Sequence, residues 1–572
     1  MSRETEELGG GTAMKEKRRR RRKGHGSLAA LLFVFLCLAV VAAFAFPALR
    51  LYGPSIRPAL KLSASIRPAM NAASAELSSA TALAPPSLSI KHAVSFPDRV
   101  LLVVVGHNSS SPSVSVSVPD LRCLYFPSSS SSQLRLPPIS SIHTPPSFLI
   151  HCPNSPSEFN ISLQLSPSLH LPPILPYRWD RLSYAAVVDF RDNSTLVFAK
   201  GFNLRPARLA VASRYECVFG WDCSIPKYLL TTPAISVAQE IVRCATPLSI
   251  LRRLRLRRPS PAKDPPLVSV RTKGRGAVTL PSVARPEMLS PPPIRWTIKE
   301  HSMCVCTMLR NQARFLREWI MYHAEIGVRR WFIYDNNSDD DIQQVIDVLS
   351  SSSNYNVTLH SWPWVKTQEA GFAHCALRAR DHCDWLGFID VDEFLYFPAE
   401  STLQDVLSNY SSQPSVGELR TACHSFGPSG RKSMPAEGVT VGYTCRMNAP
   451  ERHKSIVRPD ALNPSMINVV HHFHLKEGMR YVNMGQGVMV INHYKYQVWE
   501  VFKDKFYRRV ATYVADWQDE ENVGSKDRAP GLGTKAVEPP DWPSRFCEVN
   551  DTGLRDWVLR VFADRRTGLL PW

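Results

Sequence analysis

The residues best equipped for chemistry are Asp390, Asp392 and Glu393, which follow the apolar stretch Trp385 to Ile389 and place three carboxylates in one short loop. Such a concentration of negative charge is costly unless a cation or hydrogen bonds offset it. Oxygen ligands of this kind suit Mg2+ or Mn2+, hard cations that keep waters and take phosphate oxygens as further ligands. An Asp-X-Asp at the end of a strand is therefore built to hold a divalent cation against a diphosphate, the cation serving as Lewis acid and template for the leaving group. Solvated turn acids are the plain alternative, and the tripeptide alone does not choose between the two.

Two further groups bear on the same chemistry. The run Asp335 to Asp341 holds four Asp and two Asn around Ser338. It reads either as a turn with a helix cap or as a nucleoside-recognition loop, with Asp335 accepting from a base or ribose and Asn336 beside it. His493, after the apolar run that ends at Ile491, is a candidate to complete a cation's coordination. His471, His472 and His474 are an alternative ligand source, although their spacing fits a strand.

These residues need strands and helices to position them, and the pattern supplies both. Ser302 to Met308 reads as a strand with Cys304 and Cys306 on one face. Leu316, Trp319, Ile320 and His323 follow helical spacing, and Gly327 is placed to end that helix. Trp331 to Tyr334, Tyr355 to Ser361 and Trp385 to Ile389 read as further strands, with helices over Ile342 to Leu349 and Gln368 to Asp381 between them. This alternation predicts an α/β, doubly wound Rossmann-type sheet, whose ligands bind beyond the carboxyl ends of the strands. Both polar loops, 335–341 and 390–393, fall at such ends.

The rest of the chain frames this domain. Its 572 residues exceed what one hydrophobic core organises, and 46 prolines against 27 glycines point to stiff connections. Residues 1–27 read as a cytosolic basic tail and 28–46 as a transmembrane anchor whose 19 apolar residues reach about 28 Å. The Arg/Lys block before Leu28 orients the chain as a single-pass type II protein with its remainder in a lumen. Residues 47–97 read as a Ser/Ala/Pro-rich stem. Residues 98–290 read as a β-rich module with a basic loop at 251–265, followed by the catalytic domain at 298–572.

The formal charge of +18 concentrates in two places: residues 1–27 carry +5 and residues 251–275 carry +8. That distribution argues against a nucleic-acid partner and leaves an acidic polysaccharide contact open at the second segment. Twelve of the thirteen cysteines lie beyond the anchor, as do seven Asn-X-Ser/Thr sites, among them Asn336 and Asn356. Both fit an oxidising lumen. No Cys-X-X-Cys is present, so a zinc ribbon is not indicated.

An ordered set of motifs carries more information than any one of them. Cys304 to Asn311, Phe315 to Trp319 with His323, Trp331 to Ser338, Trp385 to Phe394, Ser425 to Gly430, Lys454 to Pro459 and Asn492 to Tyr494 together resemble glycosyltransferase family 92, which includes plant galactan β-1,4-galactosyltransferases. The resemblance implies a GT-A-like fold and an inverting enzyme that uses a divalent cation, Mn2+ (or Mg2+). It also implies a UDP-sugar donor, with galactose as the expected sugar, and a glycan or cell-wall polysaccharide acceptor. By that resemblance Asp390 and Asp392 bind the metal and the donor, and His493 is their distal metal partner. A Golgi membrane location follows from the anchor and the sequons together. Arg431 stands where the family pattern suggests His, which bears on the acceptor. A non-catalytic glycan-binding or scaffold protein of the Golgi lumen is the alternative reading. The sequence names no catalytic base among Glu437, Asp460, Glu477 and Asp516, and it leaves oligomerisation open.

Overall fold

The computed structural model describes residues 88–572 apart from short stretches, the longest being 107–120, 256–264, 290–297 and 514–536. The tail, anchor and most of the stem, which were expected over 1–97, lie outside the described residues.

The amino-terminal part is built of strands. A five-stranded sheet that includes Leu88–Ser95, Arg99–Gly106 and Ser147–Pro153 packs against a four-stranded sheet centred on Arg122–Pro127 and Phe159–Ser166. Val100, Leu102 and Val104 from the first sheet meet Tyr125, Ile161 and Leu163 from the second in one buried cluster. The Cys123–Cys152 disulfide ties the two sheets together. A seven-stranded sheet, with Leu182–Asp189 and Ser194–Lys200 toward one edge, completes this part. The segment expected as a basic loop at 251–265 begins inside a helix, Leu248–Arg255, whose Ile250 and Leu251 are buried.

The carboxy-terminal part is organised by a nine-stranded sheet. Its strands are β1 (His301–Leu309), β2 (Arg330–Asp335), β3 (Val357–Ser361), β4 (Cys383–Phe388), β5 (Glu393–Tyr396), β6 (Val416–Ser425), β7 (Glu451–Val457), β8 (Arg480–Asn483) and β9 (Val490–His493). The order is β3-β2-β1-β4-β7-β6-β9-β5, with β8 also paired to β6. Strands β1 to β4 run parallel. Beyond them β7 is antiparallel to both β4 and β6, and β5 is antiparallel to β9.

The expected fold class is corrected on both counts. The described chain is mostly strand with 22% helix, and its central sheet is mixed rather than Rossmann-type. The physical reason lies in the connections: parallel neighbours need a long crossover, usually a helix. Helices α1 (Ala313–Glu325), α2 (Ile342–Ser352) and α3 (Gln368–Ala379) supply the crossovers among β1 to β4. After β5 most strands are joined by turns and short helical segments, which permits antiparallel pairing. Among the described residues no helix is long and apolar enough to cross a membrane, and the span expected over 28–46 lies outside them.

Alternation along β1 and β2 decides what each face touches. Met303, Val305, Trp331 and Ile333 point to the face covered by α1 and α2, where Leu316, Trp319, Ile320 and Ile346 are buried. Cys304, Cys306, Phe332 and Tyr334 point to the other face, where α3 meets the amino-terminal sheets. Val94, Phe96, Leu101, Tyr184 and Phe198 belong to that same buried cluster, so the two parts of the chain share one core. Disulfides Cys304–Cys383 and Cys306–Cys375 fasten β1 to β4 and to α3 on this face.

Charged groups close the rim of the shared core. Asp189 accepts from Arg380 at 2.7 and 2.9 Å, and its Oδ2 also lies 3.3 Å from Arg243. Burial opposes ionisation of Asp189, but Arg380 and Arg243 outweigh it and lower the pKa to about 2. A depressed carboxylate contributes stability that is complete above its unfolded value near 4 and is lost as pH falls through its folded value. Asp189→Asn is therefore expected to narrow the gap in unfolding free energy between neutral pH and pH 3, measured by denaturant titration at both. An unchanged gap would show that this cluster carries none of the acid sensitivity.

Candidate active site

Strand β4 ends at Phe388, and the chain turns through 389–392 into β5. The turn is closed by its own groups: the Glu393 amide donates to the Asp390 carbonyl at 3.0 Å, and the Asp390 amide donates to Glu393 Oε2 at 3.0 Å. Pairing of β5 with β9 sets Glu393 opposite His493, and pairing of β9 with β6 sets His493 beside Ser425. The histidine expected to join the acidic loop is thus brought to it by sheet register across about a hundred residues of chain.

His493 lies between two carboxylates. Its Nε2 is 3.5 Å from Asp392 Oδ2 and its Nδ1 is 3.7 Å from Glu393 Oε1. Both ring nitrogens are buried without a hydrogen-bond partner, an arrangement that costs free energy unless another group engages them. Burial lowers the His493 pKa, with Asp392 and Glu393 only partly offsetting it, so the ring is neutral and its lone pair free to ligate.

Two lysines balance the carboxylates. Lys505, on α4 (Trp499–Tyr513), donates to Asp392 Oδ2, and Lys454, on β7, lies 2.6 Å from Glu393 Oε1 and 3.5 Å from Asp390 Oδ2. His471 Nε2 is also 3.5 Å from Asp390 Oδ2, while its Nδ1 donates to the Phe388 carbonyl at 2.8 Å. Burial alone would raise the pKa of Asp392, but the Lys505 ammonium outweighs it and holds the carboxyl well below the usual range. Asp390 is held low in the same way, Lys454 and His471 outweighing burial. Asp390, Asp392 and Glu393 thus share two ammonium groups, and a divalent cation beside Asp390, Asp392 and His493 would add positive charge where carboxyl groups outnumber lysines. The Cys423 thiol shares this pocket, its sulfur, Glu393 and His493 offering ligand atoms within 4.8 Å of one another, and burial, with Glu393 beside it, pushes the thiol's pKa well up.

A cavity of about 670 Å3 lies at the carboxyl ends of β1 and β2, lined by Asn311, Ala313, Arg314, Asp339, Asp340, Asp341, Val345, Asp504 and Tyr507. Asp504 and Tyr507 belong to the same helix as Lys505, so α4 joins the cavity to Asp392.

Comparison with known proteins settles the family. The sequence profile of glycosyltransferase family 92 matches residues 299–523. A glycosyltransferase family 92 protein of Oryza sativa subsp. japonica is 62% identical over 540 residues, 92% of this chain and 90% of the relative. The chain belongs to glycosyltransferase family 92. A family 92 protein of Ricinus communis is 57% identical over 516 residues, covering 88% of this chain and 91% of its own. A galactan β-1,4-galactosyltransferase of Arabidopsis thaliana is 33% identical over 104 residues, 16% of this chain and 19% of its own. As a member of family 92 the protein is a glycosyltransferase, an enzyme that takes a sugar donor and a glycan acceptor.

Within this glycosyltransferase the other predicted residues serve the loop that carries them. Asp335 is buried at the end of β2, and its Oδ1 accepts from the Ser338 amide at 3.0 Å. Asn336 donates to the carbonyls of Trp362 at 2.7 Å and Trp364 at 3.1 Å. Neither lines the cavity, whereas Asp339, Asp340 and Asp341 from the same loop do. Arg431, the departure from the family pattern, donates to the Gly442 carbonyl and to Glu437, each at 2.6 Å, and so braces the loop after β6. Sequence reading passed over Lys454 and Lys505 as site residues. Lys454 opens one of the motifs that carry the resemblance, but nothing in the run around Lys505 distinguishes it from a surface helix cation.

Asp340 caps α1 from outside that helix, accepting from the Ala313 amide at 2.8 Å. Asp340→Asn keeps an acceptor oxygen and is expected to cost less than ~1 kcal/mol of stability and to leave transfer near normal. A large loss of activity at unchanged melting temperature would instead make Asp340 a substrate ligand.

Proposed function

We propose that this glycosyltransferase moves a sugar, galactose by preference, from a UDP-sugar to a glycan acceptor with inversion, using Mn2+ or Mg2+ held by Asp390, Asp392 and His493. The observation that carries the reading is His493: a neutral imidazole with both nitrogens unsatisfied, set by register between two carboxylates at a strand end. A bound cation would supply charge neutralisation for the diphosphate leaving group. Lys505 and Lys454 would then be partly released from the carboxylates, and Lys505 lies where it can turn toward phosphate oxygens as a point charge. The cavity beside α4 has the volume of a cofactor-sized site. Its acidic lining would repel phosphate, which directs the diphosphate toward the lysines. The galactose preference rests on the partial match to a galactan galactosyltransferase.

The same reading gives the protein a Golgi-type oxidising lumen, supported by five disulfides among the described residues. The test is UDP release from a panel of UDP-sugars, with Mn2+ and a set of β-linked oligosaccharide acceptors. Acceptor-dependent release from UDP-galactose above all other donors is expected. Preference for another donor would remove the galactose assignment, and chelator-resistant turnover would remove the metal.

A further inference from the structure

A second cluster of metal-ligating side chains lies on the opposite face of the same sheet. Glu418 on β6, His453 on β7 and His472 on the short strand His472–Phe473 each offer one ligand atom, and the three atoms lie within 4.8 Å of one another. The sheet puts them there. Glu418 pairs with Val457 and Arg420 with Ser455, so Glu418, Ser455 and, by alternation, His453 share a face, while Lys454 turns to the other face and reaches Asp390 and Glu393.

From this geometry we propose that Glu418, His453 and His472 form a binding site for a first-row transition ion of the Zn2+ class, separate from the carboxylate loop. Two imidazoles and one carboxylate are a ligand set that such ions favour, with a fourth position left for water. Glu418 is fully buried, and the His453 and His472 rings lie with their centroids 4.1 Å apart. His453 Nε2 is buried without a hydrogen-bond partner. Burial lowers the pKa of both histidines, that of His472 to about 3, with Arg420 adding to the effect at His453 and Glu418 opposing it there. Bonds of about 2.0–2.2 Å to one ion require the three ligand atoms to draw somewhat closer than they stand, a movement within the reach of side-chain rotation.

The remaining contacts are compatible with an ion. Glu418 Oε1 accepts from Ser455 Oγ at 2.5 Å and Oε2 pairs with Arg420 at 3.0 Å, while Ser455 Oγ also lies 3.4 Å from His472 Nδ1. A carboxylate has lone pairs for a metal beside these partners, and Arg420 is further held by stacking on Tyr481 at 3.5 Å. The site's place gives it a role. His472 follows His471, which touches Asp390, and His453 precedes Lys454, which touches both Asp390 and Glu393. An ion here would pin together the two backbone segments that present those groups.

The test uses the full chain carrying Asp392→Asn, which removes a ligand of the first site. After chelator stripping and loading, one Zn2+ per chain is expected, with Cu2+ giving an electron paramagnetic resonance spectrum that shows coupling to two imidazole nitrogens. His453→Gln and His472→Gln should each weaken Zn2+ binding by at least ~100-fold, the scale on which even outer-shell partners act. No retained Zn2+, or a Cu2+ spectrum with fewer than two coupled nitrogens, would overturn the assignment without any histidine variant having to fold. Unaltered Zn2+ affinity in both folded histidine variants would overturn it as well.

Discussion

Asp392→Asn is expected to lower sugar transfer by two to three orders of magnitude while the protein stays folded. The substitution keeps size and one oxygen but removes a negative charge from a place where Asp392 faces both His493 Nε2 and the Lys505 ammonium. If the carboxylate holds the cation that stabilises the leaving diphosphate, about 3–4 kcal/mol of transition-state interaction disappears with it. The effect should fall on kcat at saturating Mn2+ and grow at limiting Mn2+. His493→Ala should shift Mn2+ affinity in the same direction, because alanine offers no ligand. Wild-type transfer by Asp392→Asn at limiting Mn2+ would reduce the loop to a turn and withdraw the metal from the mechanism.

Lys454→Met is expected to produce the largest loss of stability, about 3–5 kcal/mol, because it leaves buried carboxylates without their cation. Glu393 is fully buried, and the lysine 2.6 Å from it is the nearest ammonium in the site. Methionine fills a similar volume, so the loss reports charge rather than packing. Chemical denaturation would measure it, and the double variant Lys454→Met, Glu393→Gln should recover a large part, since a neutral amide no longer needs the ammonium. A double variant no more stable than Lys454→Met alone would show that Lys454 acts through something other than this pair.

The parts of the fold set by local pattern were legible in the sequence. Leu316, Trp319 and Ile320 repeat at helical spacing and are buried on α1, and Cys304 and Cys306 alternate onto one face of β1. What escaped was set by long-range pairing. Nothing in the sequence of β6, β7 and β9 says that they join the same sheet in mixed directions, because strands of either sense show similar apolar runs. The site divides along the same line. Asp390 and Asp392 announce themselves by sitting in one loop, and the motif pattern points to His493. Lys505 reaches Asp392 from a helix 113 positions away, a contact that only the tertiary structure can make. Asp335 and Asn336, which read either as turn residues or as donor ligands, both engage backbone groups of this fold, contacts that side-chain type alone does not show.

The core shared between the two parts of the chain constrains how this protein can change. Trp362 sits with its ring 6.0 Å from Tyr184 and 6.1 Å from Phe198, so a substitution on either side alters the shape the other must fit. Inheritance of the two parts is therefore coupled. A hybrid that joins the first 290 residues of this chain to the catalytic part of a distant relative would mismatch aromatic shapes along the seam and the Asp189–Arg380 pair at its rim. Recombination between diverged copies would meet the same barrier, and acceptor preference would have to evolve by residue changes and loop replacement on an indivisible frame.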